Sequence, residues 1–141
     1  MQIQKSPYII LLLTVLFSAC SQYDPNTIPQ HLEGYWEITK VQTQDGEHKS
    51  YTYNQTIDFI TLQDSIGIRK KLQPQLNGTF ITSTDQESFT VEQKNDSIYL
   101  HYTTPLDQWT ETVLKADKEE LIVKNQNGTT YIYKRYEKLN L

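Results

Sequence analysis

From residue 32 onward, short stretches of alternating apolar and polar residues recur every eight to twelve positions, each bounded by a turn signal. Successive side chains of a strand point to opposite faces, so this period-two pattern describes strands that each bury one face. Its regular spacing is that of an all-β sandwich or barrel. The stretches run 34–42, 50–53, 56–62, 66–72, 78–82, 88–93, 97–103, 108–115, 120–124 and 129–138, which predicts eight to ten strands. Asx-Gly pairs favour the type I′ turns of two-residue hairpins. Asp45-Gly46 and Asn127-Gly128 therefore each join neighbouring antiparallel strands, and an up-and-down meander is the expected topology. Ile98, Leu100 and Tyr102 fall on one face of their strand and Tyr99 and His101 on the other, while Trp109, Glu111 and Val113 alternate with Thr110 and Thr112. No ten-residue stretch carries a 3.6-residue apolar stripe, although 116–120 has room for one helical turn. Ten Tyr against two Ala fit the same class, since aromatic and β-branched side chains suit a pleated, half-buried surface.

The first twenty residues follow a different rule. Lys5 is followed by an apolar run from Tyr8 to Phe17 and then by Ser18-Ala19-Cys20. The run is shorter than the ~20 residues of a spanning helix, and small residues before the break favour cleavage, so 1–19 reads as a signal peptide. Ser18-Ala19-Cys20 resembles the bacterial lipobox. That resemblance implies that Cys20 is the lipid-attachment site, carrying covalent diacylglycerol and an N-acyl chain such as palmitate, and that the mature chain is held in the cell envelope by a lipid anchor. Ser21 after the Cys resembles outer-membrane sorting, with the periplasmic or surface face left open. Residues 20–30, polar and containing Pro25 and Pro29, are expected to form an extended tether, and 31–141 the single β domain.

Removing the leader moves the formal net charge from -4 to -5, because Lys5 is the only charge in it. The basic residues are scattered. The one compact run, Arg69-Lys70-Lys71, adjoins a strand-like stretch and reads as a solvated strand end, so no nucleic-acid partner is expected. Cys20 is the only Cys, which excludes an intramolecular disulfide.

Gly34-Tyr35-Trp36 at the first strand and Arg135 near the end of the last resemble the Gly-x-Trp and late-Arg signature of lipocalins, in which the Trp closes one barrel end beneath the Arg. More specifically, Leu32-Glu33-Gly34-Tyr35-Trp36 with the Tyr-rich closing strand resembles small bacterial lipoproteins with a lipocalin-like domain, over roughly residues 31–139. The resemblance implies a closed barrel. Independently of it, closing a sheet removes exposed edges, and eight strands leave room for side chains or one small ligand. A two-sheet β-sandwich is the alternative fold.

Catalytic constellations are missing from the sequence. His31, His48 and His101 lack the spacing of a metal site, and there is no Gly-x-Ser-x-Gly elbow and no Gly-rich phosphate loop, so neither an enzyme nor a cofactor is expected. The aromatic and inward-facing positions Phe59, Phe80, Leu100, Tyr102, Trp109, Glu111 and Val113 are candidate ligand-lining residues; equally, the same side chains fill a small barrel. If its face is inward, Glu111 needs a partner, and it orients a ligand's polar end or sits at a wet barrel mouth. Asp64-Ser65-Ile66 and Asp96-Ser97-Ile98 resemble an Asp-Ser/Thr-aliphatic sequon for bacterial O-glycosylation, which makes Ser65 and Ser97 candidate acceptors; an ordinary Asx turn is the other reading. Two functions follow. One is a non-enzymatic module that binds a small apolar or amphipathic ligand, and the other a solid-cored module that docks an envelope protein or glycan.

Overall fold

The computed structural model describes residues 24–138; the leader, Cys20 and the first tether residues lie outside the described residues. One 3-10 turn, Pro25–Thr27, leads into a short helix, α1 (Ile28–Leu32). Nine strands follow: β1 (Gly34–Gln42), β2 (His48–Ser50), β3 (Ile57–Gln63), β4 (Ile66–Pro74), β5 (Phe80–Lys94), β6 (Ser97–Thr103), β7 (Gln108–Ala116), β8 (Glu120–Asn125) and β9 (Thr130–Arg135). The spatial order is β2-β1-β3-β4-β5-β6-β7-β8-β9, and β1 also pairs with β9. Eight antiparallel strands thus close into a barrel, and β2 is a three-residue addition to the far end of β1. The meander and barrel expected from the alternation are therefore present, and the sandwich is not.

Local departures have local causes. The stretches 78–82 and 88–93 belong to one 15-residue strand. Pairing passes from Lys70–Gln86 to Leu72–Thr82, so three β5 residues, 83–85, face the single Lys71. Such a bulge bends a strand sharply. The two Asx-Gly pairs do join adjacent strands, but in longer loops where only Gly46 and Gly128 take positive φ. The two-residue hairpins fall instead at Asp64-Ser65 and at Asn95-Asp96, whose Asn and Asp both tolerate the left-handed region. At 117–119, where the sequence has room for a helical turn, the chain makes an Asx turn in which Asp117 Oδ1 accepts from the amides of Glu119 and Glu120.

The tether expectation is corrected from Pro25 onward. Pro25 and Pro29 initiate helical turns, where a missing N–H costs nothing. Ile28 and Leu32 are 1% and 0% exposed and join the core, so this segment is a plug in one end of the barrel. Above the plug, Trp36, Ile60, Phe89, Ile98, Leu100, Tyr102, Val113, Leu121, Val123 and Tyr133 form one continuous core. Gly67 faces Phe89 across β4 and β5, and a Cβ there would lie 2.0 Å from the ring, so the Phe89 side chain occupies the space that a larger residue would need.

Candidate functional site

The two barrel ends differ in construction. At the plugged end, the Trp36 indole N–H donates to the Leu32 carbonyl at 2.8 Å, and the Arg135 guanidinium lies 3.6 Å above the indole ring. Arg135 donates to four carbonyls: Nη1 to Glu33 at 2.6 Å, Nη2 to His31 and Asp117 at 3.1 Å each, and Nε to Lys118 at 3.1 Å. One side chain thereby fastens α1, the β7–β8 turn and β1. Gly34 has φ +116°, and a Cβ there would lie 2.6 Å from Arg135 Nη1, so the position admits only glycine without rearrangement. The structure places Gly34, Trp36 and Arg135 together as one closure.

The opposite end is open and polar. Asp58 on β3, Arg69 on β4, Tyr102 on β6, Glu111 on β7 and Tyr133 on β9 all alternate inward and converge on one guanidinium. Arg69 Nη2 donates to Asp58 Oδ2 at 2.7 Å and to the Tyr133 hydroxyl at 2.6 Å, and Nη1 donates to the Tyr102 hydroxyl at 3.3 Å. Glu111 Oε2 stands 3.5 Å from Nη1, and Lys71 pairs with the other Asp58 oxygen from the rim. Arg69 is only 9% exposed. Desolvation of this kind is tolerated when a charge is both paired and hydrogen-bonded. Arg69 Nε and Glu111 Oε2 nevertheless have no hydrogen-bond partner among the described residues, so the cluster retains unused polarity.

Burial alone would raise the Asp58 pKa, but Arg69 and Lys71 outweigh it and hold the carboxyl below the ordinary range. For Glu111 burial prevails: Arg69 opposes it, the Glu87 carboxylate adds to it, and the pKa is raised. Burial pushes the Tyr133 phenol up to about 12 and raises Tyr102 further, so both hydroxyls remain neutral at physiological pH.

Above this floor lies a half-open cleft of about 840 Å³. Its walls are Lys70 and Lys71 on β4, the largely exposed segment 84–88 of β5, and the β6–β7 connection, where Pro105 and the 97% exposed Leu106 form an apolar lip. The bulge lies within the β5 wall, and no ion pair joins Asp85 or Glu87 to the basic residues opposite among the described residues. The site therefore offers a buried ionic floor, rim charges of both signs and one apolar edge.

Of the candidate lining residues, none borders the cleft directly. Leu100, Tyr102 and Val113 are buried in the packed core, and Trp109 is half-buried and stacked on Tyr102 at 4.8 Å. Tyr102 and Glu111 reach the site from beneath, through Arg69. Phe59 and Phe80 are corrected outright: they lie on the outer surface, where Tyr35 stacks between them at 4.6 and 5.1 Å and Tyr136 meets Phe80 edge-on. The phase of β3 explains the error, since apolar residues occupy both of its faces and it is Asp58 that points inward with Ile60. The Arg69 run is likewise corrected, because its first residue is the centre of the site rather than a solvated strand end. His101 stands on the outer face, bridging Glu92 at 2.7 Å and Thr110 at 2.9 Å. Ser65 is exposed and Ser97 half-buried, each at a hairpin on the plugged end.

Residues 32–137 match the family described as Lipocalin-like domain. Among solved structures, the chain is similar to a lipocalin-like protein from Bacteroides uniformis, with 14% identity over 75% of this chain and 99% of that one and a TM-score of 0.48. It is also similar to a protein from Bacteroides eggerthii, with 12% identity, 74% and 98% coverage and a TM-score of 0.47. Lobster apocrustacyanin A1 matches at 10% identity over 83% of this chain and 71% of its own, with a TM-score of 0.43. No curated protein matches the chain.

Proposed function

The chain belongs to the lipocalin-like domain family, and on that premise we propose that it is a lipid-anchored envelope module whose barrel binds one small amphipathic ligand at its open mouth without transforming it. The observation that carries this reading is the position of the cleft. It opens above a cluster in which Arg69 Nε has no hydrogen-bond partner among the described residues and Glu111 Oε2 has only its 3.5 Å ion pair with Arg69, whereas the barrel below is filled by packed side chains. A ligand therefore sits higher than the sequence candidates implied, with its polar group toward Arg69 and Lys71 and its apolar part along Pro105 and Leu106. Sites of this size, with few convergent polar groups, suit one small molecule.

The anchor rests on the leader sequence. Cys20 precedes Asp24 by four residues, a reach of at most about 14 Å. The plugged end, from which the chain enters the barrel, is then held toward the membrane while the mouth faces away from it. Exchange of the ligand with soluble carriers suits that orientation better than exchange with the lipid surface.

An anionic fluorescent amphiphile, anilinonaphthalene sulfonate, tests the site. Wild type should bind it saturably, and Lys71→Glu and Leu106→Asp should each weaken binding about tenfold, or about 1.4 kcal/mol. Unchanged binding in both variants would place the probe elsewhere and sink the assignment. Two observations favour the second reading, a module that docks an envelope protein: below the cleft the core is packed, and Leu106 projects almost fully into solvent. Failure of the amphiphile to bind at all would favour it.

A further inference from the structure

We infer that Ser65, and not Ser97, is an O-glycan acceptor on the folded barrel. Both lie in Asp-Ser-Ile triplets at hairpins of the plugged end, yet the fold presents them differently. Asp64, Ser65 and Ile66 are all exposed, Ile66 at 62%. The Ser65 carbonyl accepts from the Val91 amide at 2.7 Å, which fixes the backbone, while no hydrogen bond engages its hydroxyl among the described residues. A surface hollow of about 610 Å³ runs beside residues 61–66 and Ile68, leaving space for a transferase to approach. In the second triplet Ser97 is half-buried, and Ile98 is 0% exposed in the core. An enzyme that reads the aliphatic residue reaches it only if β6 leaves the barrel.

Turn chemistry accounts for part of the first triplet and stops there. Asp64 has φ 55°, a conformation that Asp and Asn tolerate better than most residues, so an acid here is explained by the turn. The turn requires neither a free hydroxyl at 65 nor an exposed Ile at 66. In the transfer, Ser65 Oγ attacks the anomeric carbon of a sugar carried on a lipid or nucleotide diphosphate. The new Oγ–C1 bond replaces the C1–O bond to the diphosphate, which departs as the anion, and the hydroxyl proton passes to a base of the transferase.

The full-length protein, purified from its own host, is measured intact and as proteolytic peptides. The Ser65 peptide should carry glycan mass in wild type, in Ser97→Ala and in Ser65→Thr, and lose it in Ser65→Ala. Asp64→Asn should also lose it while melting within a few degrees of wild type, because Asn keeps the turn and removes only the carboxylate. An unmodified Ser65 in the wild-type protein, glycan on Ser97, or glycan persisting in Ser65→Ala would overturn the inference.

Discussion

Arg69 is the residue on which the polar half of the barrel turns. Removing one member of a buried ion pair leaves the others uncompensated, so Arg69→Ala should cost about 3–5 kcal/mol in denaturant unfolding. Replacing its charged members together, as Asp58→Leu/Arg69→Met/Glu111→Leu, should recover part of that stability while abolishing amphiphile binding, because no charge is left uncompensated although the Tyr102 and Tyr133 hydroxyls lose their Arg69 donor. Stability without binding would separate the cluster's role in recognition from any role in folding. The two carboxyls give opposite pH dependences. Asp58, depressed in the fold, stabilises above its unfolded pKa of about 3.9 and loses that contribution as pH falls through its folded value. Glu111, raised in the fold, favours folding at low pH, and that contribution is lost as pH rises from its ordinary 4.5 through its folded value. Glu111→Gln should therefore be more stable than wild type at pH 7, with the gap closing as pH drops below about 4.5; paired unfolding curves at the two pH values check it. The sequence made Glu111 visible because it shares a phase with Trp109 and Val113. It hid Arg69 because two lysines beside an arginine look like a solvated strand end, and nothing local reveals that Asp58, eleven residues earlier, points at it.

Among the elements, strands were far more legible than their connections. Period-two alternation depends on each residue's own face and survives in the sequence, so β1, β6 and β7 fall where it places them. The merged β5 and its bulge depend on register against β4, a relation between distant residues. The plug was missed for a similar reason: five residues cannot display a helical period, and their prolines suit a helix start as well as a tether. If α1 is part of the core, Ile28→Ala should cost about 2–5 kcal/mol, the range for emptying a buried aliphatic site, measured by denaturant titration of a chain that begins at Asp24. A loss below about 0.5 kcal/mol, typical of surface positions, would show that the segment is only draped over the barrel. A chain starting at 31 would discard Ile28 and should melt lower for the same reason.

For the whole molecule, the closed end and the open mouth divide the labour. Trp36, Arg135 and α1 seal one end, and the cleft over Arg69 occupies the other, so the proposed ligand enters at the mouth, which the proposed anchor directs away from the membrane. Changing Cys20 to Ala should leave an unprocessed, unlipidated precursor that keeps its leader; normal processing and membrane attachment of that variant would refute the anchor. The barrel as a whole was readable from strand spacing and the Gly34, Trp36 and Arg135 signature. Its binding end was not, because a cleft is a property of how eight strands close and where one of them bulges. This cleft is proposed to hold a molecule. Native mass spectrometry of residues 24–141, expressed in the host's envelope and purified gently, compares the intact mass with the denatured mass. A single mass increment lost on denaturation, and absent from the Asp58→Leu/Arg69→Met/Glu111→Leu variant, is the predicted result. A bare mass in wild type, or an increment that the variant retains, would contradict ligand binding at the mouth.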